Sequence, residues 1–234
     1  MADLPADGLP PVFAVTIDGP AGAGKTTMAR LLAKKLGAVM IDTGAMYRAV
    51  AAKAIDGGVD PADRAAVERL AAGMRIEFTG EDRKTVMVDG RDLTARIRMP
   101  DVNALVSPIS VYPGVRESMV ALQRAMARTG RVVMEGRDTG SVVLPGARYK
   151  FYLEAKPQTR AGRRKKELAQ AGHEAAEEEV LAGIVERDMR DSRRAVSPLA
   201  LPEGACRIDT SEMDIDAALE RMLSFIVSGG RGAP

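Results

Sequence analysis

The chain has 234 residues, of which 46% are hydrophobic and 28% charged, as expected for a globular protein of one or two domains. A net charge of +2 and an aromatic share of 3% argue against a nucleic-acid-binding protein, which needs basic excess and stacking surfaces. Cys206 is the only cysteine, and no apolar run approaches about 18 residues, so we expect no intramolecular disulfide and no membrane contact. The acidic, Pro- and Gly-rich start does not resemble a signal peptide, so we expect a cytoplasmic protein.

Five short apolar runs predict the strands of a mostly parallel sheet. Each is nearly continuously apolar, as expected for strands covered on both faces. The runs are 12–18, 38–42, 131–136, 149–154 and 206–210. Helical patterns lie between them, at 26–36, 115–126 and 215–226. This alternation predicts a doubly wound α/β fold around a five-stranded parallel sheet.

Two segments depart from the alternation. Residues 75–97 contain β-rich pieces separated by TGED and DG turn sequences, which predicts a small antiparallel insert. Residues 157–195 predict two highly charged helical segments joined near residue 171. We interpret both as appendages on the core sheet, and we expect 1–11 and 228–234 to be flexible tails.

A phosphate-binding loop follows the first predicted strand. The sequence GPAGAGKT at 19–26 matches G-x-x-x-x-G-K-T, lies after an apolar strand and opens a helix. Backbone N–H groups of such a loop bind the phosphates of ATP, Lys25 reaches the β- and γ-phosphates, and the Thr26 hydroxyl binds Mg²⁺. The predicted ATP contacts are Gly19, Pro20, Ala21, Gly22, Ala23, Gly24, Lys25, Thr26 and Thr27.

The loop alone does not identify the reaction, because GTPases, ATPases and small-molecule kinases share it. The guanine-binding motif N-K-x-D is absent, since Asn103 is the only asparagine. Asp42 and Glu135, at strand ends, are the nearest candidates for an acid that contacts Mg²⁺ through water, but neither follows an ATPase-type strand. The short chain and its appendages favour a small-molecule kinase.

Arginines with acidic neighbours recur at positions suited to phosphoryl transfer, which needs positive charge around the moving group. Arg48 lies in DTGAMYR, and Arg137 precedes Asp138 in EGRDTG at a strand end. In ERDMRDSRR, helical spacing places Arg187, Asp191 and Arg194 on one face. A helix of alternating charge is equally typical of a solvated surface, so the sequence pattern leaves both readings open for this segment.

Five segments together resemble the bacterial-type cytidylate kinases, a nucleoside-monophosphate kinase family with the P-loop NTPase fold. In order, they are IDGPAGAGKTT, DTGAMYR, PGVRESMVALQR, EGRDTGSVV and ERDMRDSRRAVSPL. The resemblance covers about 12–226 and implies a single kinase domain, 12–227, with three parts. These are a CORE (12–42, 112–156 and 196–227), an NMP-binding part with a β insert (43–111) and a short helical LID (157–195).

The resemblance also implies residue roles. Lys25, Arg137 and Arg187 act on phosphates as catalytic groups, and Arg48 binds the acceptor phosphate. Asp191 binds a ribose hydroxyl, with Arg194 beside it. The remaining acceptor contacts are Thr43, where the family usually has Ser, and Tyr47, together with Ser107, Arg116 and Asp138 at the cytosine. Because Pro108 follows Ser107, we expect an extended backbone at Ser107.

The implied reaction is ATP- and Mg²⁺-dependent phosphorylation of CMP and dCMP by direct in-line transfer, in a monomer whose only partners are these nucleotides. Base chemistry supports cytosine, because an aspartate accepts from its N4 amino group and an arginine donates to N3 and O2. Uracil reverses the polarity at positions 3 and 4, so we expect CMP to be preferred over UMP. The alternatives are a kinase of UMP, dTMP or shikimate, a nucleic-acid-binding ATPase and a GTP-dependent switch.

Overall fold

The computed structural model describes residues 10–80, 84–128, 130–170, 172, 174–194 and 196–230. Most of the predicted tails, 1–9 and 231–234, and the TGED turn from residue 81 lie outside the described residues. In chain order the main elements are β1 (Phe13–Asp18), α1 (Lys25–Leu36), β2 (Val39–Asp42), α2 (Thr43–Asp56), α3 (Arg64–Ala72), β3 (Ile76–Thr79), β4 (Thr85–Val88), β5 (Arg91–Asp92), α4 (Pro100–Ile109), α5 (Pro113–Ala127), β6 (Arg131–Glu135), β7 (Tyr149–Glu154), α6 (Pro157–Gln170), α7 (Glu177–Ser192), β8 (Cys206–Asp209) and α8 (Ile215–Val227).

The main sheet has five strands in the order β2-β6-β1-β7-β8. Strand β1 pairs in parallel with β6 and β7, and β7 pairs in parallel with β8. The prediction of a five-stranded α/β sheet is therefore confirmed, with each strand within two residues of its expected bounds. In such sheets ligands bind beyond the carboxyl ends of the strands, near the point where the strand order reverses. Here the order reverses between the neighbouring strands β1 and β6, and β1 leads directly into the glycine-rich loop.

A hydrophobic core lies where α1 and α8 pack against the central strands. Ile17 of β1 and Leu32 of α1 are fully buried in it. Phe151 of β7 meets Phe225 of α8 edge to face, with ring centroids 5.3 Å apart. The apolar face of α1 ends at Gly37, whose positive φ of 58° closes the helix in the manner usual for glycine. This packing fixes the start of α1, and hence the glycine-rich loop, on the sheet.

The chain divides into two compact units. One contains the described residues up to Met40 and from Gly130 onward, with β1, α1, β6, β7, β8 and the helices α6, α7 and α8. The helices α6 and α7 pack on each other, in agreement with the two helical segments predicted for 157–195. Among the described residues, no helix has the length and apolarity needed to cross a bilayer.

The other unit runs from residue 41 through residue 128 and contains α2 to α5 with the small sheet β3-β4-β5. Its strands pair antiparallel, with Phe78 opposite Val86, which confirms the predicted insert. Glu68 of α3 accepts a hydrogen bond from the Gly114 N–H at the start of α5, at 2.9 Å. Two helix N-termini are capped by aspartates, Asp42 for α2 and Asp63 for α3.

Candidate active site

The glycine-rich loop is closed by a hydrogen bond across it. The Lys25 ammonium donates to the Pro20 carbonyl oxygen at 2.7 Å. Gly24, with a φ of 86°, is the residue before α1, and as a glycine it has no side chain that could cap the helix. The first N–H groups of α1 therefore keep their capacity to bind an anion, and the helix dipole favours phosphate at this position.

Lys25 is almost fully buried, with 5% of its surface exposed. Burial lowers the pKa of Lys25 to about 7, with the charges of Arg137 and Arg187 acting in the same direction and that of Glu135 opposing. A buried ammonium beside two guanidinium groups is unfavourable until an anion compensates the positive charge. The arrangement therefore creates a concentrated positive field suited to phosphates.

Replacing Lys25 by methionine is expected to raise the melting temperature of the nucleotide-free protein by about 2–8 °C. The pKa of Lys25 in the fold, about 7, lies below its ordinary value of 10.5, so the unfolded chain binds this proton more tightly than the folded chain does. The loss of folding stability caused by burying protonated Lys25 is fully present below about pH 7 and fades as the pH rises toward 10.5. The gain in Lys25→Met should follow the same profile.

Thermal melts from pH 6 to pH 10 test this expectation. Lys34 is an exposed residue on the same helix, so Lys34→Met serves as the control, and its melting temperature should track the wild type at every pH. A Lys25→Met protein that melts at or below the wild-type temperature at pH 6 would contradict the expectation.

A pair of oxygen groups lies next to the loop. The Thr26 hydroxyl donates to the Glu135 carboxylate at 2.5 Å, and Glu135 ends β6 with 5% of its surface exposed. Hydroxyl and carboxylate oxygens are ligands suited to Mg²⁺, which usually keeps water and phosphate in most of its coordination sites. Within the described part of the chain, no cluster of three or more His, Cys, Asp or Glu side chains could hold a metal on its own. The donor set therefore fits Mg²⁺ bound together with a nucleotide.

The loop after β6 carries Arg137 and Asp138 and is attached to the end of β1. The Gly136 N–H donates to the Ile17 carbonyl at 3.0 Å. The Asp18 carboxylate accepts from the Thr139 N–H and hydroxyl, both at 2.8 Å, and from the Gly140 N–H at 2.7 Å. Asp18 is fully buried and was not identified from the sequence.

Asp191 of α7 joins two arginines that the sequence analysis singled out. Its carboxylate accepts from Arg137 Nε at 2.8 Å and also pairs with Arg194. Burial alone would raise the pKa of Asp191, but the charges of Arg137 and Arg194 outweigh it and lower that pKa below its ordinary value. The side chain of Asp191 is 2% exposed, so the solvated-surface reading of this helix face is wrong for Asp191 and its partners.

Arg160 of α6 is a buried arginine that the sequence analysis did not identify. It donates to the Ala155 carbonyl at 2.8 Å and to the Ala21 carbonyl of the glycine-rich loop at 3.1 Å. Its guanidinium also pairs with Asp188 of α7 at 2.6 Å. Arg160 therefore ties both charged helices to the glycine-rich loop. A pattern of local charges could not indicate these contacts, because each partner lies on a different element.

In the other unit, Asp42 holds the start of α2. One carboxylate oxygen accepts from the Ala45 N–H at 2.8 Å, and the other pairs with Arg48 at 2.9 Å. Thr43 is the first residue of α2 and is buried. Because the Asp42 carboxylate serves as a cap and as a partner of Arg48, Glu135 is the better candidate of the two acids considered for water-mediated contact with Mg²⁺.

Arg116 of α5 lies over the ring of Tyr47, with the guanidinium carbon 5.3 Å from the ring centroid. It is 3% exposed and donates to the Ser110 carbonyl at 3.3 Å. The Ser110 hydroxyl in turn donates to the Ser107 carbonyl at 3.0 Å. These contacts bring three of the predicted acceptor residues, Tyr47, Ser107 and Arg116, into one cluster.

The expected extended backbone at Ser107 is wrong, because Ser107 lies within α4 (Pro100–Ile109) and Pro108 lies inside the helix. A proline disfavours helical geometry in the residue before it but does not forbid it. Pro108 lies one residue before the helix ends, so its missing N–H removes one intrahelical bond and a kink there affects only the last residue. The Ser110 N–H still donates to the Val106 carbonyl, which closes the last turn.

The predicted site residues thus fall into two sets, one in each unit. The unit with the glycine-rich loop holds Lys25, Thr26, Arg137, Asp138, Arg187, Asp191 and Arg194, and the other holds Thr43, Tyr47, Arg48, Ser107 and Arg116. Sequence analysis missed Asp18 and Arg160. An acidic residue at the buried end of β1, directly before the first glycine of the loop, is the one sequence feature that could have drawn attention to Asp18.

Comparison with known proteins adds an independent line of evidence. The family model for cytidylate kinase matches residues 15–228. A cytidylate kinase of Pelotomaculum thermopropionicum is 48% identical over 219 residues, covering 93% of this chain and 97% of that protein. A cytidylate kinase of Desulforamulus reducens is 45% identical over 215 residues, covering 92% and 97%. Among solved structures, an uncharacterized protein from Eubacterium ventriosum has the same fold with a TM-score of 0.52 at 14% identity, covering 92% of this chain and 99% of that one.

Proposed function

The chain belongs to the cytidylate kinase family, and from this premise we propose that it phosphorylates CMP and dCMP to CDP and dCDP with MgATP as donor. The observation that carries the proposal is the burial of Lys25 at the glycine-rich loop, where the positive charges of Arg137 and Arg187 also act on its ammonium group. Phosphoryl transfer is catalysed mainly by positioning and by charge neutralisation, and this set of residues can supply both.

On the donor side, the residues from Gly19 to Thr27 contact ATP, with their backbone N–H groups, which Pro20 lacks, binding the phosphates. Lys25 exchanges the Pro20 carbonyl for a phosphate oxygen. The Thr26 hydroxyl and, through water, Glu135 would hold Mg²⁺. Support for these roles comes from the short Thr26–Glu135 hydrogen bond and the positive field at Lys25. When bound, the ion neutralises charge that develops on the phosphate oxygens.

On the acceptor side, Arg48 binds the CMP phosphate, with Thr43 and Tyr47 next to it. Ser107, Arg116 and Asp138 read the cytosine, and Asp191 binds a ribose hydroxyl with Arg194 beside it. Arg137 and Arg187 bind phosphates. The pairing of Asp191 with Arg137 and Arg194 supports these roles, because it holds three of the side chains in a fixed arrangement before substrate binds.

The transfer itself is a direct in-line displacement, in which the acceptor phosphate oxygen attacks the γ-phosphorus and ADP leaves. No general base is needed, because the acceptor phosphate is already an anion at neutral pH. The residues 157–195, with α6 and α7, act as a LID over ATP that limits hydrolysis by water. We also propose that the enzyme works as a cytoplasmic monomer, and size-exclusion chromatography with light scattering would test the oligomeric state.

A coupled assay of ADP release tests the proposed function. MgATP is offered with CMP, dCMP, UMP, AMP, GMP, dTMP or shikimate. The highest kcat/KM is expected with CMP or dCMP. A higher value with any other acceptor would overturn the proposed cytosine-reading residues, and no activity above the background without acceptor would overturn the kinase assignment.

Asp138→Asn is expected to narrow the ratio of kcat/KM between CMP and UMP by about tenfold to a hundredfold. An asparagine can present its N–H₂ group to the O4 carbonyl of uracil, whereas an aspartate can only accept. Steady-state kinetics with both acceptors measure the effect. Asp101→Asn is the control, since Asp101 is exposed on α4 and its salt-bridge partner is Arg96. An unchanged ratio in Asp138→Asn would rule out base reading by Asp138.

A further inference from the structure

Asp18 is a buried carboxylate outside the predicted set. It is the last residue of β1 and directly precedes Gly19, the first glycine of the phosphate-binding loop. The hydrogen bonds of its carboxylate to described residues come from one short segment, through the Thr139 N–H, the Thr139 hydroxyl and the Gly140 N–H at 2.7–2.8 Å. Three short donors on one fully buried carboxylate define a rigid attachment.

This attachment lies on both sides of Arg137 and Asp138, the two functional residues of the loop after β6. The Gly136 N–H is bound to the Ile17 carbonyl, and Thr139 and Gly140 are bound to Asp18. Arg137 and Asp138 lie between these two points in the chain. The last two residues of β1 therefore hold both ends of the segment that carries Arg137 and Asp138.

The space around Gly140, at the end of this segment, is tightly packed. A Cβ atom added to Gly140 would lie 2.7 Å from the Thr16 hydroxyl oxygen and 3.2 Å from the Asp18 carboxylate. The Asp138 carbonyl accepts from the N–H groups of Val142 and Val143, so the backbone is also fixed on the far side. Movement of the Asp18 carboxylate would thus be passed to the Asp138 backbone.

The chemistry favours a carboxylate at this position. Burial raises the pKa of Asp18 to about 6, with the charge of Asp138 adding to it and the hydrogen bonds from Gly140 and Thr139 opposing it. At neutral pH the group is therefore mostly ionised, the form in which it accepts all three hydrogen bonds. A neutral asparagine would turn its N–H₂ group toward at least one of the donors.

We propose that Asp18 is a positioning residue that sets acceptor-base discrimination, by locking the Arg137–Asp138 segment to the residue before the phosphate-binding loop. The inference rests on the proposed function, in which Asp138 reads the cytosine. Asp18 does not itself contact substrate. It couples the loop that binds the donor to the loop that recognises the acceptor.

The test compares Asp18→Asn, Thr139→Val and Thr139→Ser with the wild type. The readouts are the CMP/UMP ratio of kcat/KM, the dissociation constant for ATP and the melting temperature. Asp18→Asn should lower the ratio about tenfold, while ATP binding changes less than about threefold. Thr139→Val, which removes one of the three donors, should lower the ratio by a smaller factor. Thr139→Ser, which keeps the hydroxyl, should have the ratio of the wild type.

Asp214→Asn is the matched control, because Asp214 also accepts from a backbone N–H, that of Ala217 at 2.7 Å, at the start of α8. Its ratio should equal that of the wild type even if its melting temperature falls. If the wild type prefers CMP but the CMP/UMP ratio is unchanged in Thr139→Val, and also in Asp18→Asn where that variant folds, the inference is overturned. The proposed function would still stand. A wild type without preference for CMP would overturn the proposed function and the inference with it.

Discussion

Replacement of Lys25 by alanine is expected to lower kcat by about a thousandfold while the protein stays folded. Lys25 is buried among Arg137, Glu135, Arg187 and Asp18, so its charge acts on a bound phosphate with little screening by water. The same burial destabilises the nucleotide-free protein. The side chain therefore costs stability in the resting state and is retained for its effect on the reaction.

Arg187→Ala is expected to cause a comparable loss, because its charge acts on the same region as that of Lys25. Steady-state kinetics at saturating MgATP and CMP, with melting temperatures measured in parallel, test both variants. Lys34→Ala and Arg190→Ala serve as matched controls on α1 and α7, since both residues are exposed. Near-full activity in either Lys25→Ala or Arg187→Ala would contradict the proposed mechanism.

The main sheet could be predicted because each strand is a short apolar run covered on both faces. That pattern depends only on neighbouring residues, so it is visible in the sequence. The antiparallel insert was also predicted from neighbouring residues, namely its β-rich pieces and the TGED and DG turn sequences that separate them. Ser107 shows the limit of such rules, because the preference imposed by Pro108 is weak compared with the packing of α4, in which Val106 and Ile109 are buried.

The site was only partly predictable. The phosphate-binding loop is contiguous in sequence, so spacing alone identifies Lys25 and Thr26. Asp18 is different, since its partners Thr139 and Gly140 are 121 and 122 residues away, and only the parallel pairing of β1 with β6 brings them together. The contacts of Arg160 depend likewise on the packing of α6 against the loop and α7. Long-range pairs of this kind are set by topology and leave no periodic pattern.

Gly19→Ala is expected to abolish folding or to lower the melting temperature by about 10 °C or more. Gly19 joins Asp18 to the phosphate-binding loop with a φ of 142°, a backbone conformation that residues with side chains rarely adopt. An added Cβ atom would overlap the Leu153 carbonyl oxygen in β7. That oxygen belongs to the backbone of a central strand, so it cannot move aside as a flexible side chain could.

Gly37→Ala separates the cost of the backbone conformation from the cost of the steric overlap. Gly37 also has a positive φ, 58°, but an added Cβ atom there meets no heavy atom within 4 Å. It should lower the melting temperature only by the cost of the left-handed backbone, about 2–8 °C. Thermal melts of both variants measure the difference, which isolates the steric overlap. If Gly19→Ala melts within the range of Gly37→Ala, the end of β1 can relax, and Asp18 would then not be held rigidly enough to position the Arg137–Asp138 segment.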